Sequence, residues 1–323
     1  MTSRAHSSIS AFKLAALLAA ILIGLFALDR LGAGALHFAL MRSNASAELL
    51  MSKVRPDTVV VGTSTAKYSF RPDAWNGKML NLAQDGQTVV FSIVQAAVLP
   101  STDGLRRLIV VIDAGDLREG MKNPDVSRVW RIAPAIAGHP EIASLLKPQI
   151  SPWQPMAWSH LYRYRGTVED IAKGLIRRRT VAYDVLQPGR VREPRADADG
   201  DRPSKAKLRD IDPSLDGFIG LLKSTTERLK VTLILVAPPV YKRPPPPEDR
   251  WVCSQLADRL QGAPVCNLLD LETPELQRIR DAAGNFHDDV HLDGSGATAY
   301  TREMQRVIAD RCAHAQSASA ATR

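Results

Sequence analysis

The stretch Asp57–Ser64, which reads DTVVVGTS, decides the fold of this chain. Its centre, Thr58–Val61, is a short run of β-branched apolar residues that ends at Gly62. Such a run is typical of a strand buried on both faces of a parallel sheet. Similar runs follow at Leu108–Ile112, Val231–Val236 and Val265–Leu269. Helical patterns cover Thr88–Val98, residues 214–230, Arg250–Leu260 and about Gly296 to Cys312. This alternation predicts an α/β fold, a three-layer α/β/α sandwich around a parallel sheet of about five strands.

The N-terminal segment has the composition of a membrane helix. Leu14–Leu28 contains no charged residue, and a weaker apolar stretch, Leu31–Met41, follows an Asp-Arg pair. The first run is short for a span of about 20 residues, but Lys13 can extend toward the interface, and Ala11–Leu28 then nearly suffices with local thinning of the bilayer. The basic N-terminal end then predicts a single-pass anchor that leaves the rest of the chain in the periplasm or at the cell exterior. Two alternatives stay open: a signal peptide cleaved near Ala33-Gly34-Ala35, and a buried helix of a cytosolic protein.

Domain boundaries follow from these patterns. We expect an anchor and connector over residues 1–45, an α/β domain over 46–315 and a disordered tail over 316–323. Over a hundred residues separate the second and third of the apolar runs, which is too many for a simple crossover. The sequence therefore predicts an insertion at about 118–213 that packs beside the sheet as a lid.

Aromatic and basic residues lie close together within the insertion. They are Trp153, Trp158, Tyr162, Arg163, Tyr164 and Arg165. Aromatic rings stack on sugars and arginines pair with acidic groups, but the same residue types also pack an insertion against a sheet and coat its surface. The sequence favours packing.

Charge and cysteine content restrict the function further. The net charge is +8, yet the basic residues are scattered and no zinc, zipper or RNA-binding signature accompanies them. We therefore expect no nucleic-acid partner; an anionic membrane or acidic polymer is the alternative to general surface charge. The three cysteines form no CxxC pair, so we expect no metal or other cofactor. Outside the cytoplasm one disulfide could form, and Cys253–Cys266 is the closest pair in sequence; the sequence does not choose between this and three reduced, buried thiols.

Ser64 is the first candidate for chemistry. A serine on a tight turn between strand and helix presents its hydroxyl above the carboxyl edge of the sheet and offers its own N–H to a substrate oxygen. The competing interpretation is that Ser64 caps the following helix.

The second candidate is Asp288-Asp289-Val290-His291, which precedes the last helical pattern. A serine hydroxyl becomes a good nucleophile only when a base removes its proton, and the pKa of histidine suits that task. The base needs an acceptor on its other ring nitrogen, and a carboxylate three residues earlier on a loop bends back to supply one. Asp288 has this offset, whereas Asp289 points the other way. A purely structural or solvated loop is the alternative.

Together the two motifs resemble the SGNH/GDSL hydrolase superfamily, in which the nucleophile lies in the first conserved block and the Asp and His share the last. The resemblance covers about residues 55–312 except the insertion. The segments that carry it are Asp57–Ser64 (DTVVVGTS), Asn81–Thr88 (NLAQDGQT), Leu108–Leu117 (LIVVIDAGDL) and Asp288–Thr301 (DDVHLDGSGATAYT).

The resemblance implies a role for each matching residue. Ser64 would be the nucleophile, His291 the base and Asp288 the partner that orients the base. The backbone N–H groups of Ser64 and Gly86 would form the oxyanion hole, each worth about 3–4 kcal/mol of transition-state stabilisation.

The chain departs from the family pattern at the third block. Asp113-Ala114-Gly115-Asp116 stands where Gly-x-Asn-Asp is expected, and an ionised carboxylate cannot donate to an oxyanion. Asn81 and Asn123 are candidate substitutes for the missing asparagine. The departure lowers the expectation of efficient hydrolysis.

We therefore expect an extracytoplasmic serine esterase or O-acyltransferase of the O-acetyl class that acts on a cell-surface or exported glycan. The resemblance is strongest to anchored SGNH-like proteins that accompany multi-span membrane O-acyltransferases, which makes such an enzyme the expected partner. The alternative is a non-catalytic SGNH-like domain that binds glycan or serves as a scaffold for that acyltransferase.

Overall fold

The computed structural model describes residues 11–42, 51, 53–120, 136, 138–147, 159–165, 168, 171–172, 186–187, 189, 210–242 and 247–313. Most of the predicted insertion, Asn123 and the predicted tail at 316–323 lie outside these ranges. The insertion's role as a lid therefore stays a prediction.

Five parallel strands form a single sheet in the described part of the chain, with the order β2-β1-β3-β4-β5. Their bounds are β1 Thr58–Val61, β2 Met79–Asn81, β3 Arg107–Val111, β4 Thr232–Val236 and β5 Val265–Leu268. Val59 lies opposite Leu80 of β2 and Leu108 of β3, so β1 is inside the sheet. The sequence predicted every strand except β2, which has only three residues and lies at the edge.

Helices alternate with these strands, which confirms the α/β class and the parallel sheet. The helices are α1 Ala11–Arg42, α2 Ser64–Ser69, α3 Val89–Ala97, α4 Ala114–Glu119, α5 Pro140–Leu146, α6 Asp216–Leu229, α7 Pro247–Arg259, α8 Pro274–Asp281 and α9 Gly294–Arg311. The predicted patterns correspond to α3, α6, α7 and α9. Helix α8 was missed because only Leu276 and Ile279 in it are buried apolar residues, too few to reveal a helical period.

Alternate residues of each strand enter two separate hydrophobic clusters, because successive side chains of a strand point to opposite faces. The first core cluster includes Val59, Val61, Phe91, Leu222 and Cys253. The second core cluster includes Val60, Ile279, Tyr300, Cys266 and Cys312.

The disulfide joins Cys266 to Cys312, and Cys253 is free and buried. The pair closest in sequence, Cys253–Cys266, is therefore not the bonded one, and the alternative of three reduced thiols is wrong as well. Cys253 belongs to the first core cluster and Cys266 to the second, so the sheet separates them although they are close in sequence. The Cα atoms of the bonded pair are 5.5 Å apart, within the usual range.

Helix α1 is continuous through the charged pair that divides its two apolar stretches. Within it Lys13–Leu40 is long and apolar enough to cross a membrane, judged by length and composition, and it is the one such helix in the described residues. Most of its large apolar side chains are exposed, among them Leu22 (66%) and Ile23 (69%), whereas Ala33 and Leu40 near its C-terminal end are buried. A core helix of a soluble protein would bury such residues, so the alternative of a buried helix is wrong for this segment.

Candidate active site

Gly62 allows β1 to turn directly into α2. Its φ is +157°, and a Cβ at this position would lie 2.5 Å from the Cβ of Ala66. Thr63 then caps α2, with its Oγ1 accepting the N–H of Thr65 at 3.3 Å. Ser64 is the first residue of the helix, so the interpretation of Ser64 as the cap is wrong. Its hydroxyl remains at the carboxyl end of β1, partly exposed.

Asp288 folds the loop before α9 back on itself. Its Oδ1 accepts hydrogen bonds from the backbone N–H groups of Val290 (2.9 Å) and His291 (2.8 Å). A bond from the N–H of His287 to the carbonyl of His291 (2.8 Å) closes the loop. Helix α9 follows at once, capped by the carboxylate of Asp293.

The loop brings the imidazole of His291 between a carboxylate and the Ser64 hydroxyl. Nδ1 lies 2.8 Å from Asp288 Oδ2 and 3.0 Å from Oδ1, while Nε2 lies 2.8 Å from Ser64 Oγ. The serine and the histidine are 227 positions apart in sequence. Asp289 is not part of this chain of contacts; its backbone carbonyl accepts the N–H of Tyr241 instead.

The surroundings of Asp288 favour its ionised form. Partial burial of Asp288 opposes its ionisation, but hydrogen bonds from the His291 ring and from the N–H groups of Val290 and His291 outweigh this and lower the pKa of Asp288. The carboxylate thus favours the tautomer with its proton on Nδ1. In that tautomer Nε2 is an acceptor and the hydroxyl of Ser64 donates to it.

The sequence analysis missed three residues near the histidine: Tyr68 contacts its ring, and Lys67 and Asp85 contact Tyr68. The Tyr68 ring meets the His291 ring edge to face, with centroids 5.5 Å apart and planes at 87°. The Lys67 ammonium lies 3.0 Å from Tyr68 Oη and 2.8 Å from Asp85 Oδ2. Ser64, Lys67 and Tyr68 are spaced i, i+3, i+4, which places them on one side of α2. From that spacing the sequence could have predicted that Lys67 and Tyr68 lie beside Ser64.

Gly86 lies in the exposed turn that follows β2. Its φ of +61° is left-handed, which explains the glycine. A hydrogen bond from the N–H of Gln84 to the Gly62 carbonyl (3.3 Å) holds this turn beside the start of α2, and the neighbouring Asp85 is ion-paired to the same helix. The N–H of Ser64 is in the first turn of α2, where it has no intrahelical acceptor. Both predicted donors are thus at adjacent strand ends.

The segment Asp113–Asp116, where the sequence lacks the expected asparagine, begins a short helix. Asp113 follows β3 and caps α4, with its Oδ1 accepting the N–H of Gly115 at 2.7 Å. Gly115 stands where an asparagine is expected and has no side chain that could donate, and Asp113 supplies only an acceptor at this strand end.

Asn81 does not replace the missing donor. Its amide NH₂ group contacts the carbonyls of Ala66 (3.2 Å), Lys67 (3.3 Å) and Phe70 (2.9 Å), and its Oδ1 accepts the N–H of Ala83. The side chain is committed to the end of α2, so the proposed substitution by Asn81 is wrong.

No protein-family model and no curated protein matches the chain. In the part of the chain that the structure describes, no group of three or more His, Cys, Asp or Glu residues is arranged to hold a metal ion.

Proposed function

We propose that the protein is a membrane-anchored serine acyl-ester enzyme of the SGNH type, built as a three-layer α/β/α sandwich. The observation that carries the proposal is the hydrogen-bonded series Asp288–His291–Ser64, with both ring nitrogens 2.8 Å from their nearest partners. Nucleophile, base and orienting acid within hydrogen-bond reach are the arrangement that activates a serine.

The reaction runs through an acyl-enzyme. His291 Nε2 takes the Ser64 proton while Oγ attacks the acyl carbonyl, and the N–H groups of Ser64 and Gly86 stabilise the oxyanion. His291 then returns the proton to the departing oxygen of the acyl donor, which leaves as an alcohol; this is a sugar hydroxyl when the donor is an O-acetylated glycan. In the second half, His291 deprotonates water or another sugar hydroxyl, which attacks the acyl group and releases Ser64. Attack by water results in hydrolysis, and attack by a sugar hydroxyl results in transfer of the acyl group.

The location of the domain supports an O-acetylated cell-surface or exported glycan as substrate. Helix α1 supplies a membrane anchor, and the Cys266–Cys312 disulfide is of a kind that persists in oxidising compartments. Both features agree with a domain in the periplasm or at the cell exterior. A multi-span membrane O-acyltransferase would supply the acyl group where the enzyme catalyses transfer.

A fluorophosphonate probe tests the proposal on the full chain in detergent. Labelling should occur in the native protein and disappear in Ser64→Ala and His291→Ala. Ser101→Ala changes an exposed loop serine and should label normally. A native chain that is folded but not labelled, or a Ser64→Ala chain that is still labelled, contradicts the proposal.

One observation favours a second function, a non-catalytic SGNH-like domain that binds glycan or docks onto an acyltransferase. The carboxyl end of β3 carries the exposed acceptor Asp113, which weakens an oxyanion hole. This function predicts no labelling and unchanged glycan acylation in cells that carry Ser64→Ala.

A further inference from the structure

A small polar cluster joins α2 to the turn that follows β2. It consists of Lys67, Tyr68 and Asp85 and is here called the Lys67 cluster. The Lys67 ammonium donates to Tyr68 Oη at 3.0 Å and to Asp85 Oδ2 at 2.8 Å, and Tyr68 Oη donates to the same carboxylate oxygen at 3.5 Å. The Lys67 side chain is 22% exposed and that of Asp85 55%. An ion pair that is partly withdrawn from water is screened less than one on the open surface. The ammonium therefore holds two partners that belong to different elements.

Tyr68 links the cluster to the base of the proposed reaction. Its ring meets that of His291 edge to face, with centroids 5.5 Å apart and planes at 87°. The hydrogen bonds of the imidazole to Asp288 and Ser64 lie at opposite ends of the ring, so they leave it free to tilt about the line that joins them. A neighbouring ring at right angles opposes that tilt. Tyr68 therefore helps to fix the plane in which Nε2 faces the Ser64 hydroxyl.

Asp85 links the cluster to the proposed oxyanion hole. The N–H group that would stabilise the oxyanion belongs to the peptide between Asp85 and Gly86, and both residues are exposed. On the buried side of this turn, Gln87 is held by a hydrogen bond from its Nε2 to Gln95 Oε1 (2.9 Å). On the exposed side, the Asp85 carboxylate is held by Lys67. A donor in an oxyanion hole is effective only when it is held in place before the charge develops.

We propose that Lys67 is a positioning residue that sets the base and the oxyanion donor of the site relative to each other. Through Tyr68 it holds the imidazole of His291, and through Asp85 it holds the N–H of Gly86. Both groups act on the same tetrahedral intermediate, and a displacement of about 1 Å in either one can lower the rate by about 100-fold. The inference rests on the proposed function and adds to it a residue that acts through two others.

The first test compares Lys67→Met with the native full chain in detergent. The second-order rate of fluorophosphonate labelling should fall by about 10- to 100-fold. With p-nitrophenyl acetate as substrate, kcat should fall by a similar factor while KM stays within about twofold, because the lost contacts orient the reacting groups and do not bind the ground state. Lys67→Arg keeps a cation that can reach both partners, so it should recover most of the rate.

Lys223→Met is the matched control. Lys223 also donates from a helix to another segment, since its Nζ lies 2.6 Å from the Gln261 carbonyl oxygen. It belongs to α6, which packs on the first core cluster, whereas α2 packs on the second, across the sheet. The labelling rate of this variant should stay within about twofold of native.

A double-mutant cycle tests whether both partners act through Lys67. Tyr68→Phe removes only the hydroxyl and Asp85→Asn removes only the charge, and each should lower the labelling rate by about three- to tenfold in the native background. In the Lys67→Met background neither should lower it by more than about twofold, because the contact that each exchange removes is already lost. Losses that multiply in the double variants show that the residues act independently of Lys67 and overturn the inference.

The outcomes separate the inference from the proposed function. A folded native chain that is not labelled contradicts the proposed function itself. Labelling of Lys67→Met at the native rate overturns the inference and leaves the proposed function intact, and so does a raised KM with unchanged kcat. Thermal melting verifies that each variant is folded. If Lys67→Met does not fold, Tyr68→Phe and Asp85→Asn decide: a lower kcat in both supports the inference, and native rates in both overturn it.

Discussion

Asp288→Asn is the substitution that tests the site most directly. In the native protein Oδ1 of Asp288 receives the N–H groups of Val290 and His291, while Oδ2 lies 2.8 Å from His291 Nδ1. An asparagine keeps the first two bonds by placing its Oδ1 in the same position. Its NH₂ group then faces Nδ1 and donates to it. The ring proton moves to Nε2, so the histidine presents a donor to Ser64 and cannot accept its proton.

The expected loss of activity in Asp288→Asn depends on how exposed the Asp288 carboxylate is. The same exchange lowers kcat by about 10⁴ in a Ser-His-Asp enzyme whose acid is buried. Here the Asp288 side chain is 44% exposed, so water competes with the amide and lets part of the population keep the productive tautomer. We therefore expect a loss of about 10²–10³, or roughly 3–4 kcal/mol of transition-state stabilisation.

The assay is the second-order rate of fluorophosphonate labelling, with release of p-nitrophenol from p-nitrophenyl acetate as a turnover measurement. Asp289→Asn is the matched control, because it changes the adjacent carboxylate outside the hydrogen-bonded series; its rate should stay within about twofold of native. If Asp288→Asn retains native rates, or if both variants lose activity equally, the orienting role of Asp288 is refuted.

Three further predictions concern the scaffold of the site. Gly62→Ala should destabilise the protein by about 2–3 kcal/mol or prevent folding, since the new Cβ would lie 2.5 Å from the Ala66 Cβ; a native-like melting temperature would disprove this. Hydrogen bonds lower the pKa of Asp57 although burial opposes them, so its carboxylate adds stability above the unfolded pKa and loses it as pH falls through the folded pKa. Urea unfolding should therefore show Asp57→Asn well below native at pH 7 and nearer to it in acid, and a constant gap would argue against this linkage. Cys312→Ser opens a disulfide with a sequence separation of 46 and should lower the free energy of unfolding by up to about 4 kcal/mol. Cys253→Ser keeps the disulfide, so dithiothreitol should lower its melting temperature as much as that of the native chain. Insensitivity of the native chain to reductant would count against the bridge.

The elements that sequence could predict are those whose signal is local. Thr58–Val61 is apolar and β-branched along its whole length because both faces of the strand are buried, so its bounds matched the structure. Met79–Asn81 carries no such signal, because three residues at a sheet edge show no period. The same limit applies to α8, whose surface is almost entirely polar.

The candidate site was predictable where chemistry restricts residue type and spacing. The Asp288 to His291 offset fits a carboxylate that bends back on a loop, and the structure has that geometry. The approach of Tyr68 to His291 and the commitment of Asn81 to the end of α2 depend on how distant segments pack. The sequence left the cysteine pairing open for the same reason, since separation along the chain does not reveal which face of the sheet a thiol occupies.

The position of the disulfide affects how the protein responds to proteolysis. Asp288 and His291 both lie within the stretch bounded by Cys266 and Cys312. A protease that cuts once inside this stretch leaves two polypeptides joined by a covalent bond. A nicked molecule therefore keeps its base tethered to the sheet that carries the nucleophile, until a reductant separates the fragments.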